Sequence, residues 1–548
     1  MPQSTTPTGL GQHGASPPRG LDGTPGSSFS IGRFGRMFRQ LPSYDVADES
    51  LVALGNAMVQ PLEDGELDKP LGEPDDDENT ATLDTGELRL PAGYTYFGQF
   101  VDHDITFDPV SSLQRQNDPD ALVNYRTPRF DLDNVYGRGP SDQPFLYAAD
   151  GVHLQLGIAD PDGSPQGGPD LARSATGRAI IGDPRNDENL IVSQLQSTMF
   201  RFHNAVVDRV AADHPNLTTD DRFKFAQKVV RWHYQWIVVH DFLRRLVGDE
   251  VIDDILNVEE YDVPTGSPPD TVPPLTNPVG RAEPKLRFYK YNNEPFMPLE
   301  FSVAAYRFGH SMIRPSYLIN DVATTDPPVT GAARIPIFDQ TGQPRTSLSG
   351  FRPLPAFWGV EWKFFLAGIG PAVDDLPQPS YKLDATLSHP LGALPGSVAM
   401  PQQIVAGFDP GIAQSLAVRN LIRGKRLDLP SGPDVARAMG IDPIEPEVLI
   451  PADLELDADA DREAAARADL AGREPLWYYI LKEAELYTNA AHLGPVGGRI
   501  VAEVLIGLLA GDPLSYINVE PNWKPDLPSA HAGTFTLSDL VNLAIPQP

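Results

Sequence analysis

The sequence predicts a mainly α-helical protein, one large helical unit with long ordered loops and little β structure. Three observations carry this. Apolar residues recur at helical spacing in three segments, alternating strand-like patterns are scarce, and 56 prolines and 47 glycines punctuate the 548 residues. Length alone would allow several domains, but a single unit around a buried group is compatible with this size.

The elements follow in chain order. Residues 1–28 are rich in Gly, Pro, Ser and Thr and read as a flexible tail, leaving residues 29–548 as the folded unit. Residues 62–84 are acidic and loop-like, with the run Asp75-Asp76-Asp77-Glu78. Leu195, Met199, Phe202 and Val206 form a first helical stripe. Val229, Trp232, Trp236, Val239, Leu243 and Leu246 form a longer one, which Gly248 is placed to end. A third helix is expected around 299–314, where Phe301, Ala304, Ala305 and Phe308 recur before Pro315. No internal repeat is visible.

Charge and composition narrow the function. Lys and Arg total 43 against 74 Asp and Glu, a net charge of −31. Such a chain repels nucleic acid and anionic membranes and favours cations such as Ca2+. With no cysteine, disulfides, Fe–S clusters and thiolate-bound metals or haem are excluded. The first thirty residues hold no apolar segment of the signal-peptide kind, so the expected location is cytoplasmic, or outside after leaderless export. The most apolar stretch, Ile500 to Ala510, is too short to span a bilayer and contains Glu503, so a soluble protein without membrane insertion is expected.

Two clusters carry chemistry. In Gly98-Gln99-Phe100-Val101-Asp102-His103-Asp104, a helix would put Gln99, Asp102 and His103 on one face. An amide, a carboxylate and an imidazole side by side suit proton transfer to a small ligand. In Gly182-Asp183-Pro184-Arg185-Asn186-Asp187-Glu188-Asn189, Arg185 and Glu188 stand three apart. Alone, that segment reads better as a surface helix start, with Asp183 as N-cap and Pro184 at the first helical position.

Together these motifs resemble the distal side of the animal-type haem peroxidases, the family of myeloperoxidase, lactoperoxidase and peroxidasin. The likeness spans roughly residues 85–520. It implies a haem b cofactor between two helices. His103 would be general base and then acid toward hydrogen peroxide, Arg185 would stabilise developing negative charge, and Gln99 would bind water or a small anion. Asp102 and Glu188 match the family's ester links to haem. Asn189 stands where myeloperoxidase has a Met that adds a further link. That change disfavours chloride and leaves iodide, bromide, thiocyanate or organic donors.

Further on, Thr127-Pro128-Arg129-Phe130-Asp131-Leu132-Asp133 places oxygen ligands at alternate positions, a spacing that suits either a wrapped hard cation or an acidic turn. The segment is similar to the family's calcium loop. The resemblance implies Ca2+ held by Asp104, the side chains of Thr127, Asp131 and Asp133, and the Arg129 carbonyl.

On the proximal side, His310 in Tyr306-Arg307-Phe308-Gly309-His310 is the chosen iron ligand, with Gly309 allowing close approach of a flat ring. Arg-Phe-Gly-His resembles the family's proximal motif. Arg307 is placed to pair with a propionate. By resemblance, Asn420 accepts from the other ring nitrogen of His310 and Arg423 meets a second propionate. His203, His233 and His240 read as core histidines, and Trp232, Tyr234 and Trp236 as core. The segments Leu476–Tyr479 and Gly494–Arg499 read as framework.

The resemblance implies a peroxidase that reduces hydrogen peroxide and oxidises a halide, pseudohalide or small organic donor through an oxyferryl state. Fatty-acid dioxygenases of the same superfamily are the alternative, but they carry a tyrosine three residues before the proximal histidine, where this chain has Arg307. A non-catalytic haem- and calcium-binding protein would need none of Gln99, His103 and Arg185.

Overall fold

Helices carry most of the buried apolar surface in the computed structural model. It describes residues 32–61, 90–107, 122–157, 169–256, 284–291, 294–323, 334–338, 347–355, 357–370, 377–395, 414–451, 454 and 460–545. The expected 1–28 tail and the 62–84 acidic loop lie outside them. The helices that position the site are α1 (Asp48–Ala57), α2 (Ala92–Ile105), α3 (Leu190–Asp213), α4 (Thr219–Ile237), α5 (Leu416–Arg426), α6 (Leu476–Thr488), α7 (Pro495–Gly511) and α8 (Leu537–Ala544). One cluster of buried hydrophobic side chains runs from Phe34 to Ala544.

The first two stripes fold as their spacing predicts. Leu195, Met199, Phe202 and Val206 are buried along α3, which packs on α2, α4 and α8. Trp232 and Trp236 are buried on α4. The helix then widens to π winding over Val238–Leu243, resumes over Arg244–Val247, and stops at Gly248 with φ +80°. Helix α7, apolar except for Arg499 and Glu503, is buried from Val496 to Leu509, as expected of a central core helix. Its Glu503 is buried because it accepts from the main-chain N–H groups of Arg287, Phe288 and Tyr289 and from Arg499 Nε. Among the described residues no helix is long and apolar enough to cross a membrane.

The third stripe departs from expectation. Instead of one α-helix over 299–314, Glu300–Ala304 winds wide and Ala305–His310 winds tight, with a break at Ala304 (φ −125°, ψ −75°). Tertiary contacts explain the change. Glu300, fully buried, accepts from Met37 N (3.0 Å) and Phe38 N (2.9 Å). Tyr306 stacks on Phe301 at 4.7 Å and donates to Gly98 O (3.2 Å). The helical segment ends at His310, well before Pro315.

Strand is scarce among the described residues. β1 (Gly32–Gly35) pairs antiparallel with β2 (Val123–Asn124) and parallel with β3 (Met297–Pro298), with Gly32 opposite Asn124 and Phe34 opposite Met297. A second ladder joins β4 (Ser316–Tyr317) to β5 (Ile335–Pro336).

Candidate active site

Helix α2 is buried on nearly all sides, and its two partly exposed residues are Gln99 and Asp102, three apart on one face. Phe97 and Phe100, fully buried on the other faces, anchor it by roughly 1.5–3 kcal/mol each. His103, 5% exposed, adjoins the open face.

A tight turn over Pro184–Asp187 brings the second cluster against α2. Asp183 caps it, accepting from Arg185 N at 2.9 Å, as the sequence suggests. His103 Nδ1 lies 2.6 Å from Asn186 Oδ1, and His103 Nε2 lies 3.7 Å from Glu188 Oε1. Gln99 Nε2 donates to the same Glu188 oxygen. Asn189 Nδ2 donates to Gln99 Oε1 (3.1 Å) while its Oδ1 accepts from Val192 N (2.9 Å) and caps α3. Glu188 thus meets Gln99 and His103 although it comes from a distant part of the chain.

Arg185 is held differently from what charge stabilisation at a ligand would suggest. Its Nε and Nη2 bond Asp183, and Nη2 also donates to His103 O (3.0 Å) and Thr106 O (2.6 Å). Its guanidinium lies 4.5 Å over the Phe107 ring. The side chain therefore secures the C-terminal carbonyls of α2, a favourable place for a cation.

The electrostatics favour neutral groups. Burial, reinforced by the Arg185 charge, lowers His103 to about 3, so its imidazole is neutral at physiological pH. Burial raises Asp102, against the pull of Arg185 and Arg307, and Thr106 Oγ1 donates to it at 2.9 Å. Glu188 is pushed up to about 7, chiefly by loss of bulk solvation and despite a side chain that is 37% exposed. Its neighbours Asp183 and Asp102 add to the rise, while Arg185 and Gln99 oppose it.

On the other side, His310 Nδ1 lies 2.8 Å from Asn420 Nδ2 on α5. Asn420 therefore turns its amide nitrogen toward the ring, not the expected oxygen. The reason is Arg307, whose Nη1 donates to Asn420 Oδ1 at 3.2 Å. Burial and the cations Arg307 and Arg419 lower His310 to about 3. Arg423 stands one turn beyond Asn420 on α5. Trp477, from the segment read as framework, donates to Arg307 O (3.1 Å) and so fixes the tight turn carrying His310.

Behind His103, the Asp104, Asp131 and Asp133 carboxylates offer oxygens within 4.8 Å of one another. Both Asp104 oxygens and Asp133 Oδ1 are buried without a hydrogen-bond partner. The Leu132 N–H and Tyr234 hydroxyl lie near enough to influence Asp104 but form no well-made bond with it. Thr127 Oγ1 donates to Asp131 Oδ2 (2.6 Å), and Arg129 is buried in the same loop. Burial first, then mutual repulsion, raises Asp104 strongly and Asp133 to about 7; burial also raises Asp131. Three carboxylates in this arrangement can hold a hard cation.

Residues 110–354 match the family model of the animal haem peroxidases. Over that stretch, a little under half of its length, the chain is similar to an animal haem peroxidase domain. The matched stretch includes Arg185, Glu188, the 127–133 loop and His310, but neither α2 nor Asn420. The fold is similar to that of peroxidase A from Dictyostelium discoideum, with a TM-score of 0.57 at 15% identity over 94% of this chain and 93% of that one. In sequence the chain is 24% identical to a dual oxidase of Drosophila melanogaster over 26% of its own length and 7% of the relative's. It is 25% identical to the alpha-dioxygenase PIOX of Oryza sativa subsp. japonica over 43% of its length and 37% of the relative's. The chain thus spans well under half of either curated relative.

An animal haem peroxidase domain implies haem binding, and the residues present fit one. Two imidazoles held neutral are available, the buried His103 and the half-buried His310, and Arg307 and Arg419 supply cations beside His310 suited to carboxylates. A Cβ built on Gly309 would meet no protein atom within 4 Å. His203 is instead a core histidine, donating from Nε2 to Val152 O (2.9 Å) and accepting from Tyr136. His233 donates to Val229 O (2.8 Å), and His240 bonds the Tyr516 hydroxyl (3.2 Å) while stacking on Trp236. Sequence reading missed Asn186, Arg419 and Trp477 as parts of the site. No periodicity marks them, since each is defined by a neighbour far along the chain.

Proposed function

We propose that the protein is a haem-dependent peroxidase that reduces hydrogen peroxide and oxidises a small donor, either a halide or pseudohalide or an organic molecule. The observation that carries this is the meeting of a neutral His103 with Gln99 and Glu188 on the one open face of α2. A neutral imidazole with its Nε2 directed to that face can take a proton from peroxide and return it to the departing oxygen. Gln99 orients water or a small anion beside it.

Bound haem supplies the redox chemistry. His310 would hold its iron once the Asn420 amide turns its oxygen to Nδ1, a turn that becomes available when Arg307 is drawn to a propionate. Arg423 would meet the second propionate. Asp102 and Glu188 would form the ester links, and their raised pKa values favour the protonated carboxyl. Calcium held by Asp104, Thr127, Arg129, Asp131 and Asp133 would fix the helix end that carries His103.

The fatty-acid oxygenase alternative finds less support in this geometry. In a tight turn of three residues, positions i and i+3 lie in line, so Arg307 occupies the place beneath His310. Tyr306 is engaged with Gly98 O and Phe301.

The test is stopped-flow absorbance of haem-loaded protein mixed with hydrogen peroxide, with His103→Ala alongside. The reading expects rapid Soret loss in the parent and little in the variant. An unchanged parent spectrum, with haem bound through His310, would refute it.

A further inference from the structure

Asn186, Gln196 and Asn134 are all fully buried and form one hydrogen-bonded line behind His103. Asn186 Nδ2 donates to Gln196 Oε1 at 2.7 Å, and Gln196 Nε2 donates to the main-chain carbonyl of Asn134 at 3.2 Å. The other end of the line is the 2.6 Å contact between Asn186 Oδ1 and His103 Nδ1.

The direction of this line follows from its last member. A main-chain carbonyl can only accept, so the Gln196 amide must present nitrogen to it and oxygen to Asn186. Asn186 must then give its nitrogen to Gln196 and turn its oxygen to the imidazole. An oxygen beside Nδ1 requires a proton on Nδ1, and in the neutral ring that leaves the lone pair on Nε2. Reversing any one amide would set oxygen against oxygen in a buried place, where an unpaired polar group costs about 1–3 kcal/mol.

Building on the peroxidase reading, we propose that Asn186 and Gln196 are positioning residues that fix His103 in its Nδ1–H tautomer, with Nε2 as the proton acceptor. The relay is anchored on the Asn134 carbonyl. Asn134 directly follows Asp133, so the loop that supplies two of the three clustered carboxylates also sets the polarity of the distal imidazole. When peroxide meets this site, its O–H bond breaks and an Nε2–H bond forms, with no other proton carrier needed for the transfer. Neither residue touches the reacting atoms.

Two ligands of ferric haem separate tautomer control from simple displacement. Cyanide enters as HCN and needs a base to take its proton, whereas bound fluoride needs a hydrogen-bond donor. Cyanide association rates and fluoride affinity would be measured at one fixed pH on haem-loaded parent, His103→Ala, Asn186→Leu, Gln196→Met and Asn186→Asp. Asn186→Leu is expected to slow cyanide association by roughly 10–100-fold, the usual scale for losing an outer partner of a functional histidine. Gln196→Met should slow it in the same direction, with fluoride affinity kept in both. Asn186→Asp retains an acceptor for Nδ1–H, although it gives up the donation to Gln196 Oε1, and should bring the cyanide rate back toward the parental value. Gln196→Met, a near-isosteric change, keeps the test available if Asn186→Leu fails to fold. Unchanged cyanide rates in both relay variants, beside a slow His103→Ala, would overturn the relay and leave the peroxidase reading standing. Parallel loss of cyanide and fluoride binding would also overturn it, because displacement of His103 would then suffice. A His103→Ala variant that binds cyanide like the parent would instead defeat the peroxidase reading itself.

Discussion

Calcium should stabilise this protein, and Asp104→Asn should abolish that effect without harming the calcium-free protein. The three carboxylates of Asp104, Asp131 and Asp133 approach within 4.8 Å. At that separation and an effective dielectric constant of about 20, each ionised pair repels by about 3.5 kcal/mol. Burial first, and then this repulsion, raises Asp104 strongly and Asp133 to about 7 when no cation is bound. Replacing Asp104, whose charged form is disfavoured there, by the neutral Asn therefore changes little when calcium is absent. Calcium at about 100 times its Kd would add about 2.7 kcal/mol. For 548 residues, unfolding entropy is on the order of 1.2 kcal/mol/K, so Tm should rise by roughly 2 °C. The cation competes with protons, so the rise should be larger at pH 8 than at pH 6. Differential scanning fluorimetry with calcium or a chelator reads this directly. An Asp104→Asn variant that keeps the full rise, or a parent that shows none at pH 8, would refute the reasoning.

Three further outcomes are expected. Asn420→Leu should weaken haem retention by about 10–100-fold, read by transfer of haem to an acceptor protein, while Asn420→Asp should lower the haem midpoint potential by making His310 more basic; an unchanged potential would count against the pairing. After peroxide treatment, acid–solvent extraction should leave haem on the parent and remove it completely from Asp102→Asn/Glu188→Gln, and equal release from both would exclude the ester links. His203 and His233 are each lowered to about 4 by burial, against about 6.5 unfolded. The folded state therefore binds fewer protons between those values, so stability is full above pH 6.5 and falls as pH drops through about 4, by roughly 3 kcal/mol for each group at most. A urea midpoint that does not fall between pH 7 and pH 4 would contradict this.

Much of the site was legible because its members cluster in short segments. Gln99, Asp102 and His103 share a helix face by arithmetic alone, and Asp183-Pro184 announces the turn that carries Arg185. The 299–314 segment was less legible. Its apolar spacing fits an α-helix, but the buried Glu300 and the Tyr306 contact with α2 impose two windings on it. The direction of Arg185 was equally hidden, because the carbonyls it bonds belong to a helix end some eighty residues away.

The sequence by itself determined the helical class, the two stripes that fold as α3 and α4, the charge balance and the residue types available for proton transfer and cation binding. These depend on local periodicity and on side-chain chemistry, which composition and spacing record. Only the tertiary structure decided which nitrogen of His103 faces Asn186, which end of the Asn420 amide faces His310, and that three carboxylates converge behind the distal helix. Those features are set by hydrogen-bond partners and charges brought together from distant segments, and no local pattern encodes them.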